Sequence, residues 1–272
     1  MMSNIVPIPA ATVTLVRDTD AGLEVLMVQR SLKSGFVPGA HVFPGGALDD
    51  EDYLPAIHAL CAGITDDQAS RALGIAHGGL AYWAAGIRES FEEAGLLVAY
   101  DARGRIVALD EPDVANRFRQ HRHALNAGAR SLLDILHEQK LTLAADQLVY
   151  FSHWITPVSG VRRYDTRFFV AAAPPKQAPL HDNHETISHV WVRPAAALDR
   201  HRKKDFKIRF PTMRTLEDLA AYASVDALMK AMRAKRNIPA ILPRISKDGR
   251  RLLPGDAGYE QAVGVGATGK WR

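Results

Sequence analysis

A single cysteine, Cys61, stands in 272 residues, so no intrachain disulfide can form, and a reducing interior suits the chain. No apolar run approaches the ~18 residues that a membrane-spanning helix needs. No Lys or Arg precedes Arg17, so a secretory signal peptide is not expected and the cytoplasm is the expected compartment. Internal repeats and low-complexity blocks are missing as well, which argues against a solenoid. What is present is ordinary for a soluble globular protein: 47% hydrophobic and 24% charged residues. The length suits one large domain, or one domain with an appendage.

Charge is scarce in one sign at a time. Residues 45–113 hold 13 Asp/Glu against 4 Lys/Arg, whereas residues 200–251 hold 15 Lys/Arg against 5 Asp/Glu. An acidic region beside a basic one suits a phosphorylated, anionic small molecule. For any single lysine of the basic region, solvated surface is the simpler reading. The net charge of +4 comes with no recognisable nucleic-acid-binding motif, so a nucleic-acid partner is not expected.

Hydrophobic periodicity orders the rest. Residues 10–16 and 23–28 read as strands joined by the turn composition Asp18-Thr19-Asp20-Ala21-Gly22. Residues 41–43 read as a short strand leading into a Gly45-Gly46 turn. Two helical patterns follow at 53–61 and 65–73, the second with an N-cap signature at Thr65. A longer helix over 80–96 ends at Gly95. A second hairpin is expected around 101–104, helices over 111–126 and 129–138, and strands over 147–155, 167–172 and 189–192. Further helices are expected over 194–200, 211–224 and 225–235. Strands interleaved with helices indicate an α+β or α/β sandwich.

The chemistry concentrates in two pieces, Phe43-Pro44-Gly45-Gly46 and Arg88-Glu89-Ser90-Phe91-Glu92-Glu93-Ala94-Gly95-Leu96. Glu89, Glu92 and Glu93 are spaced i, i+3 and i+4, so their carboxylates share one helix face. Three anions on one face raise one another's pKa, and a hard divalent cation relieves that repulsion. Such a run taken alone is more often a solvated acidic face. The Gly-Gly piece lets a backbone carbonyl and a phosphate come close.

Together these residues resemble the Nudix box, G-x5-E-x7-R-E-U-x-E-E-x-G-U, where U is aliphatic. Gly46, Arg88, Glu89, Glu92, Glu93, Gly95 and Leu96 match its positions. Ser90 departs from the first U, and Asp52 stands at the first Glu. Asp52 and Arg88 are 36 positions apart where the box has 8, so about 28 residues are inserted, read here as a helical lid over about 51–79. The resemblance implies a Nudix fold over 1–200, of the α+β class, an α/β/α sandwich with a mixed sheet, with 201–272 as a C-terminal helical extension packed on the same domain. It implies metal-dependent hydrolysis of a P–O–P linkage with Mg²⁺ or Mn²⁺. The metal ligands would be Gly46, Glu89, Glu92 and Glu93. Glu89, Glu92, Arg88 and Glu185 would be the catalytic residues, with Arg88 orienting the glutamates and Glu89 or Glu185 as the base.

The likeness continues outside the box. Residues 35–46 (GFVPGAHVFPGG), Trp154-Ile155-Thr156-Pro157, residues 163–169 (RYDTRFF) and Leu252-Leu253-Pro254-Gly255-Asp256 with Tyr259 resemble peroxisomal coenzyme A diphosphatases. That branch also carries a long insertion within the box. Bacterial coenzyme A Nudix hydrolases place an arginine where this chain has Gly35, with Lys33 two residues away. Arg30, Lys33, Arg163 and Arg167 are the candidate phosphate-binding residues. Coenzyme A or an acyl-coenzyme A is the leading substrate. ADP-ribose, another nucleotide-sugar or dinucleotide diphosphate is the rival, and a non-catalytic nucleotide sensor is the reading from another class. A homodimer is left open. Two further patterns are decoys. Gly264-x4-Gly269-Lys270 lacks the Ser/Thr and following helix of a P-loop, and His184-Glu185 with His189 has five-residue rather than four-residue spacing. His181 and His184 form a minor zinc-ligand alternative.

Overall fold

The computed structural model describes residues 5–33, 37–158, 160, 162, 163–182 and 185–262. The lead-in residues 34–36, His184 and the 264–270 pattern lie outside the described residues.

A mixed sheet forms around β1 (Ile8–Thr19), whose central residues Val13, Leu15 and Val16 are fully buried. β1 runs antiparallel to β2 (Gly22–Arg30) through the expected hairpin. It runs parallel to β8 (Tyr164–Ala172) along most of its length, with Ile8 opposite Tyr164 and Val16 opposite Ala172. β8 in turn pairs antiparallel with β7 (Val149–Ile155). β3 (His41–Val42) and β9 (Thr186–Val192) both pair with β2. Gly45-Gly46 is not the expected turn. It lies in β4 (Gly45–Ala47), antiparallel to the start of β1, with Gly46 opposite Ala11. A Cβ at Gly46 would collide with the Glu89 carboxylate, so glycine here lets the strand lie close against the helix beneath it with Glu89 in its present place.

That helix is α3 (Leu80–Ala94), buried along nearly its whole length. Leu80, Trp83, Ala84, Ile87 and Phe91 pack with Val13, Leu15, Leu26 and Phe169 of the sheet. Gly95, at φ 70°, ends it in the left-handed conformation. Its start is capped from outside. The Asp66 carboxylate accepts from the N–H groups of Gly78 and Leu80, both at 2.9 Å, and Ser70 Oγ accepts from Gly79. Asp66 and Ser70 belong to α2 (Asp66–Leu73), which follows α1 (Pro55–Ala59) in the inserted segment. Thr65 caps α2 through a reciprocal pair with Gln68, as its spacing predicts.

The insertion is therefore a buttress rather than a lid. Ile57, Ala69 and Leu73 are buried in the same core as α3, and Ala62 and Leu60 exchange backbone hydrogen bonds with Leu143. α4 (Pro112–Asn126) and α5 (Leu132–Gln139) complete this layer. The expected hairpin around 101–104 forms, short, with a Tyr100–Ile106 bridge and backbone hydrogen bonds from Asp101 to Arg105 and from Val107 to Ala99, while β5 (Ala99–Tyr100) also pairs with β6 (Thr142–Leu143).

The opposite sheet face is covered by α6 (Pro194–Arg202), α7 (Phe210–Leu219) and α8 (Val225–Ala234). Phe206, Leu216, Leu219 and Leu228 are essentially inaccessible there, against Val25, Met27, Phe151 and Val170. The C-terminal helices thus supply the third layer of the α/β/α sandwich, rather than ornamenting a finished domain. The tail adds β10 (Ala240–Ile241), parallel to β7, and the small hairpin of β11 (Arg244–Ile245) and β12 (Arg251–Leu252). Among the described residues, no helix is long and apolar enough to cross a membrane.

Leu216 is fully buried in the second core. Leu216→Ala is expected to lower the unfolding free energy by about 2–5 kcal/mol, from lost transfer energy and the cavity left behind. Urea denaturation measures this, and a loss under about 1 kcal/mol would show that the C-terminal layer does not support the fold.

Candidate active site

Arg88, at the middle of the two-part motif, is 4% exposed. Its Nε and Nη2 donate to the two carboxylate oxygens of Asp52, at 3.1 and 2.9 Å, a bidentate pair. Nη2 also donates to the Ala47 carbonyl at 3.0 Å. Nη1 donates to Glu89 and to Glu92, each at 3.0 Å, and lies 3.4 Å from Asp49. Burial works against the guanidinium charge, but Asp52, Glu89 and Glu92 outweigh it and hold its pKa above the ordinary value. The insertion therefore leaves Asp52 beside Arg88 despite the 36 positions between them.

The three glutamates share one face of α3, as their spacing predicts. Glu93 is 3% exposed, and its carboxylate accepts from the Gly45 N–H at 3.0 Å, which ties the helix to β4. Thr186 Oγ1, at the start of β9, donates to the Glu93 carbonyl at 3.2 Å. Burial raises all three carboxyl pKa values. That of Glu89 goes well above the carboxylate range, with Arg88 opposing and Glu93 and Glu92 adding to the rise. Glu92 rises to about 6 and Glu93 to about 8. For Glu93, the Gly45 N–H and Arg30 oppose the rise, while Glu185 and Asp182 add to it.

These residues open onto a cleft of about 710 Å³. Asp49, Glu89, Glu92, Glu93, Asp182 and Glu185 line it, facing Arg119, Arg122 and His123 of α4. Six carboxylates against two arginines make this wall hostile to a diphosphate unless cations join it. Among the described residues, no three His, Cys, Asp or Glu side chains are gathered into a ready metal cage. Glu89 and Glu92 are turned onto Arg88, and Glu93 onto Gly45. The donor set nevertheless fits a hard dication. It offers carboxylate oxygens whose crowding and burial disfavour exactly the negative charge that such an ion favours, beside a strand whose Gly46 backbone packs directly on Glu89.

Not every sequence-derived candidate reaches the cleft. Glu185 does, and Arg30, the last residue of β2, is near enough for its charge to act on Glu93. Arg163 does not. It is buried at the start of β8, donating to the Thr156 carbonyl at 3.1 Å and to the Ile5 carbonyl at 2.7 Å. Arg167 is buried too, pairing with Asp165 at 2.7 Å and lying over Tyr82. Tyr82 precedes Glu89 by seven residues of α3, about 10 Å along the axis. Both arginines therefore brace the sheet, and neither lines the cleft as the expected phosphate ligand. Lys33 is exposed and does not line the cleft. Nor does any residue of the basic 200–251 region. His181 meets His189, Nδ1 to Nδ1 at 3.1 Å.

The sequence reading missed Asp49, Asp182, Arg119 and Arg122. Asp182 carries a local signal, since it precedes Thr186 by four residues and accepts from that residue's N–H at the strand entry. Arg122 and Asn126 stand i, i+4 on α4, and both donate to the Glu92 carbonyl, at 2.9 and 3.2 Å. Nothing local links that pair to α3.

A split carboxylate helix under a Gly-Gly strand, on a mixed sheet between two helical layers, is the arrangement of a Nudix hydrolase. The NUDT19 Nudix domain family model matches residues 64–219, more than half of the chain, and the chain belongs to this family. It is similar to the protein named acyl-coenzyme A diphosphatase NUDT19 of Gallus gallus, with 31% identity covering 88% of this chain and 73% of the relative. For the Homo sapiens protein of the same name the identity is 30%, covering 88% and 72%. Among solved structures, the crystal structure of a NUDIX hydrolase from Alicyclobacillus acidocaldarius superposes with a TM-score of 0.68 at 25% identity, covering 84% of this chain and 97% of that one.

Asp52→Ala removes the bidentate partner of a buried guanidinium. It is expected to destabilise the protein by about 3–5 kcal/mol, against at most about 0.5 kcal/mol for the exposed neighbour Asp50→Ala. Parallel urea titrations decide it, and equal midpoints would mean that Asp52 is not the anchor of Arg88.

Proposed function

We propose that this protein hydrolyses the diphosphate linkage of coenzyme A or an acyl-coenzyme A, using Mg²⁺ or Mn²⁺. The carrying observation is one helix face with Glu89 and Glu92 bound to Arg88 and Glu93 bound to the Gly45 N–H, in a cleft of substrate size. The names of the relatives supply the substrate class. Glu89, Glu93 and the Gly46 carbonyl, with Glu92 directly or through water, would hold the metal. When bound, it would supply charge neutralisation at the phosphates and a more acidic water.

The remaining work falls to the chain's own residues. Arg88 holds Glu89 and Glu92 in register, and Gly45 holds Glu93. Glu185 lines the cleft with Glu93 and its charge acts on Glu93, yet among the described residues no hydrogen bond ties it to Arg88, which makes it the better choice of base than Glu89. It takes a proton from the attacking water as the new O–P bond forms and the bridging P–O bond breaks. The products are 3′,5′-ADP and 4′-phosphopantetheine or its acyl ester. Little covalent chemistry is required, so positioning and charge complementarity carry the rate. The substrate is a small molecule. The lone cysteine suits a cytoplasmic setting.

Glu93→Gln keeps the side-chain size but loses the anion. It is expected to abolish nearly all turnover while the circular-dichroism spectrum stays native, whereas Glu185→Gln lowers kcat by about 10²–10⁴. Wild-type turnover by folded Glu93→Gln would put the metal site elsewhere.

The substrate is tested by kcat/KM for coenzyme A, dephospho-coenzyme A and ADP-ribose, with products identified by mass. Coenzyme A is expected to lead. A tenfold preference for ADP-ribose, about 1.4 kcal/mol of transition-state discrimination, would overturn the assignment.

A further inference from the structure

Behind the acidic cleft lies a second, smaller cavity of about 200 Å³. Its walls are mostly apolar: Phe91 of α3, Leu109, Ala115 and Phe118 around α4, and Pro179 and Leu180 of the segment leading to β9. It adjoins the main cleft, since Arg119, Arg122 and Leu180 line both. The two meet close to the glutamates. Phe91 adjoins Glu92 in sequence, and Gly95, also in the cavity wall, is only three residues further along the chain, less than one helical turn.

Arg122 stands at the junction. It is 6% exposed, and its Nε is fixed on the Glu92 carbonyl at the C-terminal end of α3, where a positive charge is favourable. Its Nη2 is buried and has no hydrogen-bond partner among the described residues. A helix-capping role accounts for Nε. It leaves Nη2 unexplained, since a buried, unsatisfied guanidinium N–H is destabilising and calls for an acceptor. Arg122, which lines both cavities, thus keeps an unused charged donor at their shared wall, with the carboxylates on one side and the largely apolar slot on the other. An anionic oxygen attached within a few bonds to a compact aliphatic group fits both features.

Resting on the coenzyme A reading above, we propose that this slot is the subsite for the branched aliphatic part of the phosphopantetheine arm, the gem-dimethyl portion next to the diphosphate, with Arg122 Nη2 donating to the adjoining phosphate. The small volume suits a branched group held close to the phosphorus. The adenosine half then occupies the larger, polar cleft. Arg122 is a binding and positioning residue in this arrangement, and Ala115 and Ala178 set how much aliphatic bulk the slot admits.

The test is equilibrium binding by calorimetry, in saturating Mg²⁺, of two phosphate monoesters, 4′-phosphopantetheine and O-phosphoethanolamine. They share the phosphate and differ in the branched aliphatic group. The wild-type protein is expected to bind 4′-phosphopantetheine at least tenfold more tightly. Ala115→Phe fills the slot from α4 and should reduce that ratio to about threefold or less. Ala178 lies on an exposed irregular segment, so Ala178→Trp fills the slot with little risk to folding and should do the same. Equal affinities in the wild type, no binding of either probe, or a preference that survives both substitutions would each overturn the subsite. Turnover of coenzyme A by the wild type, measured alongside, reports on the proposed reaction separately, so failure of one assignment is distinguishable from failure of the other.

Discussion

The buried guanidinium of Arg88 is the constraint on which the site depends. It is inaccessible, so its charge has to be answered within the protein, and four groups answer it: Asp52 bidentately, Glu89 and Glu92 from its own helix, and the Ala47 carbonyl from β4. One side chain therefore fixes the separation of strand and helix and the orientation of two carboxylates. Removing a partner from such an arrangement is far more damaging than its net contribution suggests, because the partner left behind is buried and uncompensated. Glu93 is fixed independently by the Gly45 N–H. The result is a set of acidic oxygens held together against their own repulsion and burial, which raises their pKa values and favours any ligand that brings positive charge.

The long insertion makes sense against this constraint. It leaves the chain just after Asp52 and returns at Gly79, and both ends are pinned to the box helix. Asp52 is locked by Arg88, and Asp66 and Ser70 cap the first N–H groups of α3. Its apolar residues Ile57, Ala69 and Leu73 enter the main core. Insertion at this point adds core and an end-cap to α3 without disturbing the relation of Gly46, Arg88 and the glutamates. On the opposite face of the sheet, α7 and α8 bury Val25, Met27, Phe151 and Val170, so the central strands are covered on both sides.

Much of this was legible in the residues. The i, i+3, i+4 carboxylates, Gly95 as a stop, Thr65 as a cap and the hairpin at 18–22 are short-range signals, and each appears where its spacing places it. Tertiary pairing decided the rest. The 101–104 hairpin forms, but no pattern in the residues signalled that Thr142 and Leu143 would pair with its first strand as well. Arg163 and Arg167 carried the same charge as true phosphate ligands. Only the register of β8 against β1 and β7 reveals that one is tied to backbone carbonyls and the other to Asp165. The basic stretch beyond residue 200 was visible as composition, but composition does not say which face of the sheet it covers. Arg122 was invisible for the complementary reason: its role comes from where α4 crosses the end of α3, a contact between residues 30 positions apart.

The central claim is that the Arg88-organised carboxylates and the Gly46 carbonyl form the seat of a divalent cation. Anomalous diffraction from crystals grown with Mn²⁺ tests it most directly. The account predicts a peak within ligating distance of the Glu89 and Glu93 carboxylates and the Gly46 carbonyl, with Arg88 still bound to Asp52. A peak on His181 and His189, or no peak near α3 at saturating Mn²⁺, would contradict it.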